Sequence, residues 1–355
     1  MEFRVTPENV KILGRYLYDE NGCWLNFSAS TLEFDCTCSR LEAKIHSNAT
    51  SWNDQFHTRV AVFIDDMETE AKRITLDTDD ATYLLHEEPA IRTFHVKIVK
   101  LSEAAFGKMR IDSIITDTDS PLVPAPYKTR KIEFIGDSIT CGYGIEGVLG
   151  VDPFKTAQEN CLKAFACRSA KALDADCQLI SWSANGTTSG WVDPDVDEPS
   201  DGFLIPMIYQ YTDAAYSNDS GLAKELWDRW DSSRFTPDVI VLNLGTNDAS
   251  YTRGIPERID RYVREYVAFL EDIRKNNPFA TIFCTLGAMD QALCPAVERA
   301  THEYAEKYKD NKIHYMPYEL QIEEDGYAPD NHPSEKTHIK MSKKLVAKIK
   351  EVMGW

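Results

Sequence analysis

The feature of this sequence that most constrains its fold is a change in the spacing of its apolar residues. Up to about residue 118, apolar and polar residues alternate, as in Leu41–His46 and Phe94–Ile98. Alternation with a period of two is typical of strands that have one buried and one wet face. Because short segments such as 59–65 and 109–116 recur between Asn, Asp and Gly, we expect an all-β jelly-roll sandwich over residues 1–118.

A proline-rich segment ends this pattern. The six residues Pro121–Pro126 contain three prolines, which prevent both ladder pairing and helix formation, so we place a linker at residues 119–130. Beyond it, buried strand-like runs such as Lys131–Gly136 and Val239–Gly245 alternate with helical patterns. Strands that alternate with helices predict an α/β/α domain with a mainly parallel sheet, here over residues 131–355.

Four polar clusters stand at or after the predicted strands of this second domain. They are GDSIT at 136–140, SANG at 183–186, GTND at 245–248 and, late in the chain, DNHPS at 330–334. Ligands of parallel sheets bind beyond the carboxyl ends of the strands. We therefore expect the four clusters to converge on one rim.

The residue types in these clusters suit serine catalysis. Ser138 would be the nucleophile, His332 the base that takes its proton, and Asp330 the acid that orients the base. The main-chain N–H groups of Ser138 and Gly186 and the side-chain amide of Asn247 would form an oxyanion hole. Chemistry of this type supplies its own nucleophile, so we predict no cofactor and no metal.

The four clusters, in this order, resemble the conserved blocks of the SGNH or GDSL hydrolases. A sandwich in front of such a domain, together with the segment 227–248 (WDRWDSSRFTPDVIVLNLGTND), is similar to carbohydrate esterase family 2. The resemblance covers nearly the whole chain. It implies an acetyl xylan esterase-like enzyme that removes O-acetyl groups from plant polysaccharides, such as xylan and glucomannan, through an acyl-enzyme, and it leans towards the 6-position of hexoses.

The resemblance assigns the same roles to Ser138, His332, Gly186 and Asn247, but the acid departs from the wider pattern. SGNH hydrolases in general carry the acid three residues before the histidine, where this chain has Pro329; Asp330 lies two residues before His332. Family 2 esterases resemble this sequence in the shorter spacing, and some of them use a backbone carbonyl instead. We predict that the Asp330 carboxylate orients His332, because an extended backbone would point both side chains towards Ser138.

The aromatic residue on which a sugar ring would stack also differs from the family pattern. Many relatives carry an aromatic residue just before the histidine, where this chain has Asn331. We therefore expect the platform to come from Trp191, Tyr209 or Tyr143.

Three other polar residues near these motifs have simpler interpretations. We expect Asp137 and Asp248 to organise the backbone of their loops instead of reacting. His338 falls within the last predicted helix, where a packing role is favoured over catalysis.

Charge and composition limit the partners. The formal net charge of −18, from 39 Lys and Arg against 57 Asp and Glu, repels phosphate backbones and anionic lipids, so nucleic acid and membrane surfaces are poor candidates. The chain shows no export signal or membrane segment, and its nine cysteines are too scattered for a disulfide scaffold. We expect a cytoplasmic protein, or a secreted one if a signal has been trimmed; the sequence leaves the oligomeric state open.

Two alternatives to a carbohydrate esterase remain at this point. One is a glycan-binding protein whose hydrolase domain has lost turnover, and the other is a lipase or thioesterase of the same superfamily. The complete Ser-His set argues against the first. An acidic loop at 189–203 and the lack of an apolar lid-like segment argue against the second.

Overall fold

The computed structural model describes residues 1–355 and contains seventeen strands and eight α-helices. The strands are β1 (Glu2–Phe3), β2 (Lys11–Leu13), β3 (Leu17–Tyr18), β4 (Cys23–Trp24), β5 (Thr31–Ser47), β6 (Thr58–Ile64), β7 (Lys72–Leu76), β8 (Asp80–Lys100), β9 (Met109–Thr116), β10 (Val123–Pro124), β11 (Arg130–Gly136), β12 (Ala175–Ser181), β13 (Val239–Asn243), β14 (Thr281–Leu286), β15 (Ile313–Pro317), β16 (Tyr327–Ala328) and β17 (His332–Pro333). The α-helices are α1 (Ser138–Cys141), α2 (Phe165–Ala172), α3 (Ile205–Ile208), α4 (Ala214–Asp219), α5 (Thr246–Thr252), α6 (Pro256–Asn276), α7 (Cys294–Tyr308) and α8 (Glu335–Met353). Short 3-10 helices span Ala49–Ser51, Thr156–Gln158, Cys161–Lys163, Lys224–Leu226, Ser232–Arg234, Glu323–Asp325 and Pro329–Asn331.

The chain divides into two compact units. The first consists of Met1–Tyr127, Lys155–Glu159 and Thr212–Asp228, and the second of Lys128–Phe154, Asn160–Tyr211 and Arg229–Trp355. The division after Tyr127 falls within the segment 119–130 that the prolines mark. The sequence pattern did not indicate that two later segments join the first unit. One of them is held there by Asp213, whose carboxylate accepts a hydrogen bond from Asn26 at 2.6 Å.

The first unit is built on one antiparallel sheet of ten strands, as the alternating pattern predicts. Two of these strands are long: β5 has 17 residues and β8 has 21. The first part of β5 pairs with β2 and β10 and its last part with β9. Its pairing with β8 shifts register between Cys38 and Arg40 and between Leu41 and Glu42. Alternate side chains of these strands form one buried core that includes Leu32, Phe34, Val96 and Ile98.

The second unit is built on five parallel strands in the order β12-β11-β13-β14-β15. The four strands β11–β14 are buried along nearly all their length, because helices cover a sheet of this kind on both faces. The predicted helix near 259–275 is α6, and its apolar stripe of Tyr262, Tyr266, Phe269 and Ile273 is buried. The α/β prediction is therefore confirmed. None of the helices combines the length and the apolar composition that a membrane span requires.

The order of the strands also determines where a ligand site is expected. The chain begins this sheet at β11, adds β12 on one side, and then returns to add β13 on the other. The carboxyl ends of strands on either side of such a reversal leave a crevice between their loops, and ligands bind there.

Candidate active site

Three of the predicted clusters follow strands that end at the same level of the sheet. Gly136, at the end of β11, pairs with Ser181 of β12 and with Asn243 of β13. The loops that carry Ser138, Gly186 and Asn247 therefore start side by side. The expectation that these clusters share one rim is confirmed.

The loop that carries Ser138 turns directly from β11 into the single helical turn α1. Asp137 caps this turn, because its Oδ1 accepts a hydrogen bond from the main-chain N–H of Ile139 at 3.0 Å. Ser138 is the first helical residue, so its own N–H has no acceptor within the helix. The predicted loop-organising role of Asp137 is confirmed.

The predicted base contacts the predicted nucleophile directly. His332 Nε2 lies 2.8 Å from Ser138 Oγ, and His332 Nδ1 lies 3.1 Å from the main-chain oxygen of Pro329. A carbonyl oxygen can only accept, so Nδ1 carries the proton and Nε2 presents its lone pair to the serine hydroxyl. Burial lowers the pKa of His332 to about 4, and the contacts with Pro329 and Asp330 oppose this only in part. The imidazole is thus neutral at pH 7 and able to take a proton.

The turn before His332 explains why a main-chain carbonyl orients its ring. Asp330 and Asn331 both have left-handed backbones, with φ of 54° and 60°. This tight turn directs the Pro329 oxygen at His332, where it accepts both the main-chain N–H and the ring N–H. The Asp330 carboxylate instead accepts the hydroxyl proton of Tyr143 at 2.8 Å. The structure therefore differs from the predicted Asp330–His332 contact, because the backbone between the two is not extended.

The predicted oxyanion side is organised by Asn247. Its Nδ2 donates to the main-chain oxygen of Asn185 at 3.0 Å and approaches Oδ2 of Asp137 at 3.3 Å. Gly186 is buried beside it, and a Cβ there would lie 2.4 Å from Oδ2 of Asp248. Only glycine fits at this position. The oxyanion roles of Ser138, Gly186 and Asn247 stay predictions.

Asp248 holds the loop that follows Gly186. Its buried carboxylate accepts the main-chain N–H groups of Thr187, Thr188 and Ser189 at 2.6–3.1 Å. Burial raises the pKa of Asp248 to about 6, against the effect of these hydrogen bonds. The predicted loop-organising role is confirmed.

Two residues near the motifs lie in the core. His338 is buried in α8, where Nδ1 accepts the N–H of Phe165 at 3.1 Å, as its predicted packing role requires. Burial lowers the pKa of His338 to about 3. Tyr209 is 1% exposed, and its hydroxyl contacts Glu133 and Asn277 at 3.0 and 2.8 Å. The prediction of Tyr209 as a sugar platform is therefore wrong.

Ser138 and His332 open onto a cleft of about 790 Å³, within the size range of small-molecule sites. Its lining residues are Ser138, Tyr143, Ser183, Ala184, Trp191, Thr246, Asn247, Ala249, Ser250, Met289, Asp290, Ala292, Asp330, Asn331 and His332. Trp191 and Tyr143 both line this cleft, and Trp191 is 54% exposed. Their role as a sugar platform stays a prediction.

Some residues in and behind the lining of this cleft were not predicted from the sequence. Met289 and Asp290 follow β14, and the same strand-end argument that found Ser138 could have found them. Phe154, whose ring stacks on Tyr143, stands in a loop without periodicity and gave no signal.

A serine hydroxyl paired with a neutral imidazole, at the carboxyl ends of parallel strands, has the geometry of a serine hydrolase. Residues 134–338 match the GDSL-like Lipase/Acylhydrolase family, and residues 12–126 match the Carbohydrate esterase 2 N-terminal family. The chain belongs to the GDSL-like hydrolases and, within them, to the family 2 carbohydrate esterases.

Individual relatives cover almost the whole chain. An acetylxylan esterase / glucomannan deacetylase of Cellvibrio japonicus is 30% identical over 351 residues, which are 98% of this chain and 90% of that protein. A family two carbohydrate esterase from Clostridium thermocellum, solved in complex with cellohexaose, is 29% identical with a TM-score of 0.84 and covers 98% of this chain and 99% of its own. A family two carbohydrate esterase from Cellvibrio japonicus is 26% identical with a TM-score of 0.86, covering 100% of this chain and 98% of its own.

Proposed function

We propose that this protein is a serine esterase that removes O-acetyl groups from plant polysaccharides or their oligosaccharides, such as acetylated xylan and glucomannan. The observation that carries the proposal is the 2.8 Å hydrogen bond between Ser138 Oγ and His332 Nε2 on the wall of the cleft. The names of the relatives support the choice of an acetylated sugar as the substrate.

The geometry supports a two-step reaction. His332 Nε2 takes the proton of Ser138 as Oγ attacks the acetyl carbonyl, and the imidazolium then protonates the sugar oxygen, which leaves. Water then gives a proton to the same nitrogen as its oxygen attacks the acetyl carbonyl carbon. The bond between that carbon and Ser138 Oγ breaks, the imidazolium returns the proton to Oγ, and the acetyl group leaves as acetate. The Pro329 carbonyl holds the imidazole in one tautomer throughout. The N–H groups of Ser138 and Gly186 and the amide of Asn247 would stabilise the oxyanion.

The lining of the cleft favours a sugar over a lipid chain. The large exposed ring of Trp191 offers a flat apolar surface of the kind on which sugar rings pack. Two carboxylates, Asp290 and Asp330, line the cleft, and no lysine or arginine does. A neutral ester therefore suits it better than an anionic one.

The experiment is an assay of acetate release from acetylated xylan, acetylated glucomannan, acetylated monosaccharides and 4-nitrophenyl acetate, with 4-nitrophenyl laurate as the lipid-like control. Ser138→Ala should abolish all hydrolysis. Ser183→Ala is the matched control, because it removes another hydroxyl from the same cleft that has no hydrogen bond to His332. We expect it to retain most of the activity.

Three results would contradict the proposal. Faster hydrolysis of the laurate than of any acetylated sugar would indicate a lipase. Binding of the polysaccharide without turnover by the wild type would indicate a glycan-binding protein. Equal activity of wild type and Ser138→Ala would place the nucleophile elsewhere.

A further inference from the structure

The base of the active site is one member of a stack of three rings. The Tyr143 ring lies against His332 with centroids 4.2 Å apart and an angle of 30°, and against Phe154 with centroids 3.5 Å apart and an angle of 8°. Phe154 is buried, whereas Tyr143 is half-buried and lines the cleft. One face of the imidazole is therefore covered by a ring that is itself backed by the core.

The backbone of Tyr143 is tied to the nucleophile. The N–H groups of Gly142 and Tyr143 both bond to the main-chain oxygen of Ser138, at 3.0 and 3.1 Å. Gly142 and Gly144 have φ of 80° and 62°, so the chain turns sharply on both sides of the tyrosine. A Cβ at Gly144 would lie 3.0 Å from Cδ of Pro329. Tyr143 thus stands between the serine turn and the turn that precedes the base.

The hydroxyl of Tyr143 is held by Asp330. The carboxylate accepts this proton at 2.8 Å and makes no hydrogen bond to His332. Asp330 is exposed to solvent, which screens the direct effect of its charge on the imidazole. The hydrogen bond from Tyr143 to Asp330 instead fixes the position of the Tyr143 ring, and this ring contacts the imidazole of His332. Solvent does not screen an effect of this kind.

We propose that Tyr143 is a positioning residue for His332, and that Asp330 acts on the base through the Tyr143 hydroxyl. The stack limits the tilt of the imidazole, so Nε2 stays directed at Ser138 Oγ while it alternates between base and acid. The inference rests on the proposed esterase function for its biological meaning. Its test requires only that the Ser138–His332 pair is reactive.

The test is a double-mutant cycle with Tyr143→Phe and Asp330→Gly. Phenylalanine keeps the ring and removes the hydroxyl, and glycine removes the carboxylate but tolerates the left-handed backbone at this position. We expect each single variant to lower kcat about fivefold, as for the loss of one hydrogen bond, with KM nearly unchanged. The double variant should also be only about fivefold slower, because both changes break the same contact.

Two further variants separate position from charge. Asp330→Asn removes the charge but keeps an oxygen that can accept the tyrosine proton, so it should retain most of the activity. Tyr143→Leu removes the ring and should lower kcat by at least about tenfold, more than the loss of the hydroxyl alone. Far-UV circular dichroism of each variant shows whether it is folded.

The same variants are compared with diethyl 4-nitrophenyl phosphate, which reports on the Ser138–His332 pair without a sugar. Ser138 Oγ forms a bond to phosphorus, 4-nitrophenolate leaves, and His332 takes the serine proton. The maximal rate of 4-nitrophenol release should fall by the same factors as kcat. If the phosphate reacts but acetylated sugars do not, the proposed function fails and this inference stands.

Three outcomes would overturn the inference. A double variant slowed by about 25-fold, the product of two fivefold effects, would show that the two residues act independently. An Asp330→Asn variant as slow as Asp330→Gly would show that the charge acts directly. Unchanged rates in Tyr143→Phe and Tyr143→Leu would remove Tyr143 from any positioning role.

Discussion

The two walls of the cleft are built by different means. On one wall, Ser138, Ala184 and Asn247 follow the ends of three neighbouring strands, and the register of the sheet fixes where each loop starts. On the other wall, His332 follows a tight turn whose two preceding residues have left-handed backbones. Regular secondary structure thus positions the side chains of the first wall, whereas two residues with left-handed backbones position His332 on the second.

This difference decides which atoms orient the base. Had the chain been extended before His332, the Asp330 side chain would have pointed in the same direction as the base. The left-handed turn instead brings a main-chain oxygen to Nδ1 and sends the carboxylate to Tyr143. A main-chain oxygen is present whatever the side chain is, so this wall tolerates changes at Asp330 that the other wall does not tolerate at Ser138.

The largest effects are expected where the two walls meet. Ser138→Ala and His332→Ala should each lower kcat by about 10⁴ or more, because either change removes the nucleophile or the base. Initial rates on 4-nitrophenyl acetate check this, and urea unfolding checks that stability is retained. A variant of His332 with a near-normal rate at pH 7 would mean that another group is the base.

A smaller effect is expected on the strand-end wall. Asn247→Ala should lower kcat by about 10² to 10³, the usual loss for one oxyanion donor, while KM changes far less. Steady-state kinetics on an acetylated sugar separate the two constants. A change in KM alone would mean that Asn247, through its contacts with Asn185 and Asp137, only shapes the loops that bind the substrate.

The pH dependence tests the state of the base. Because the lowered pKa of His332 is about 4, the neutral form required of a base persists well below pH 6. We expect kcat/KM to be nearly constant from about pH 5.5 to 8 and to fall about tenfold per pH unit below about pH 4. Recovery of full activity after return to pH 7 controls for acid unfolding. An acidic limb with an apparent pKa of 6.5 or higher would contradict a desolvated, neutral His332.

The first wall could be predicted from the sequence and the second only in part. Buried strands end where their apolar runs end, so Ser138, Gly186 and Asn247 could be placed at one rim from spacing alone. His332 was found by its residue type, but nothing in the pattern indicated the backbone of Asp330 and Asn331. Local φ values depend on packing that periodicity does not record.

The aromatic residues show the same limit. Trp191, Tyr209 and Tyr143 all stand near the motifs in sequence, and all were candidates for a sugar platform. Tyr209 is buried with hydrogen bonds to Glu133 and Asn277, whereas the other two line the cleft. Aromatic rings pack in cores and in sugar sites alike, so residue type and proximity in sequence do not separate the two uses.

The smallest predicted effect tests the central claim most directly. That claim is that the Pro329 carbonyl, not the Asp330 carboxylate, holds the proton of His332 Nδ1. The measurement is kcat of Asp330→Asn relative to wild type across about pH 5 to 9, where the base is neutral. We predict a decrease of less than about threefold at every pH; a decrease towards the roughly 10⁴-fold loss seen when the acid of a full triad is replaced would contradict the claim.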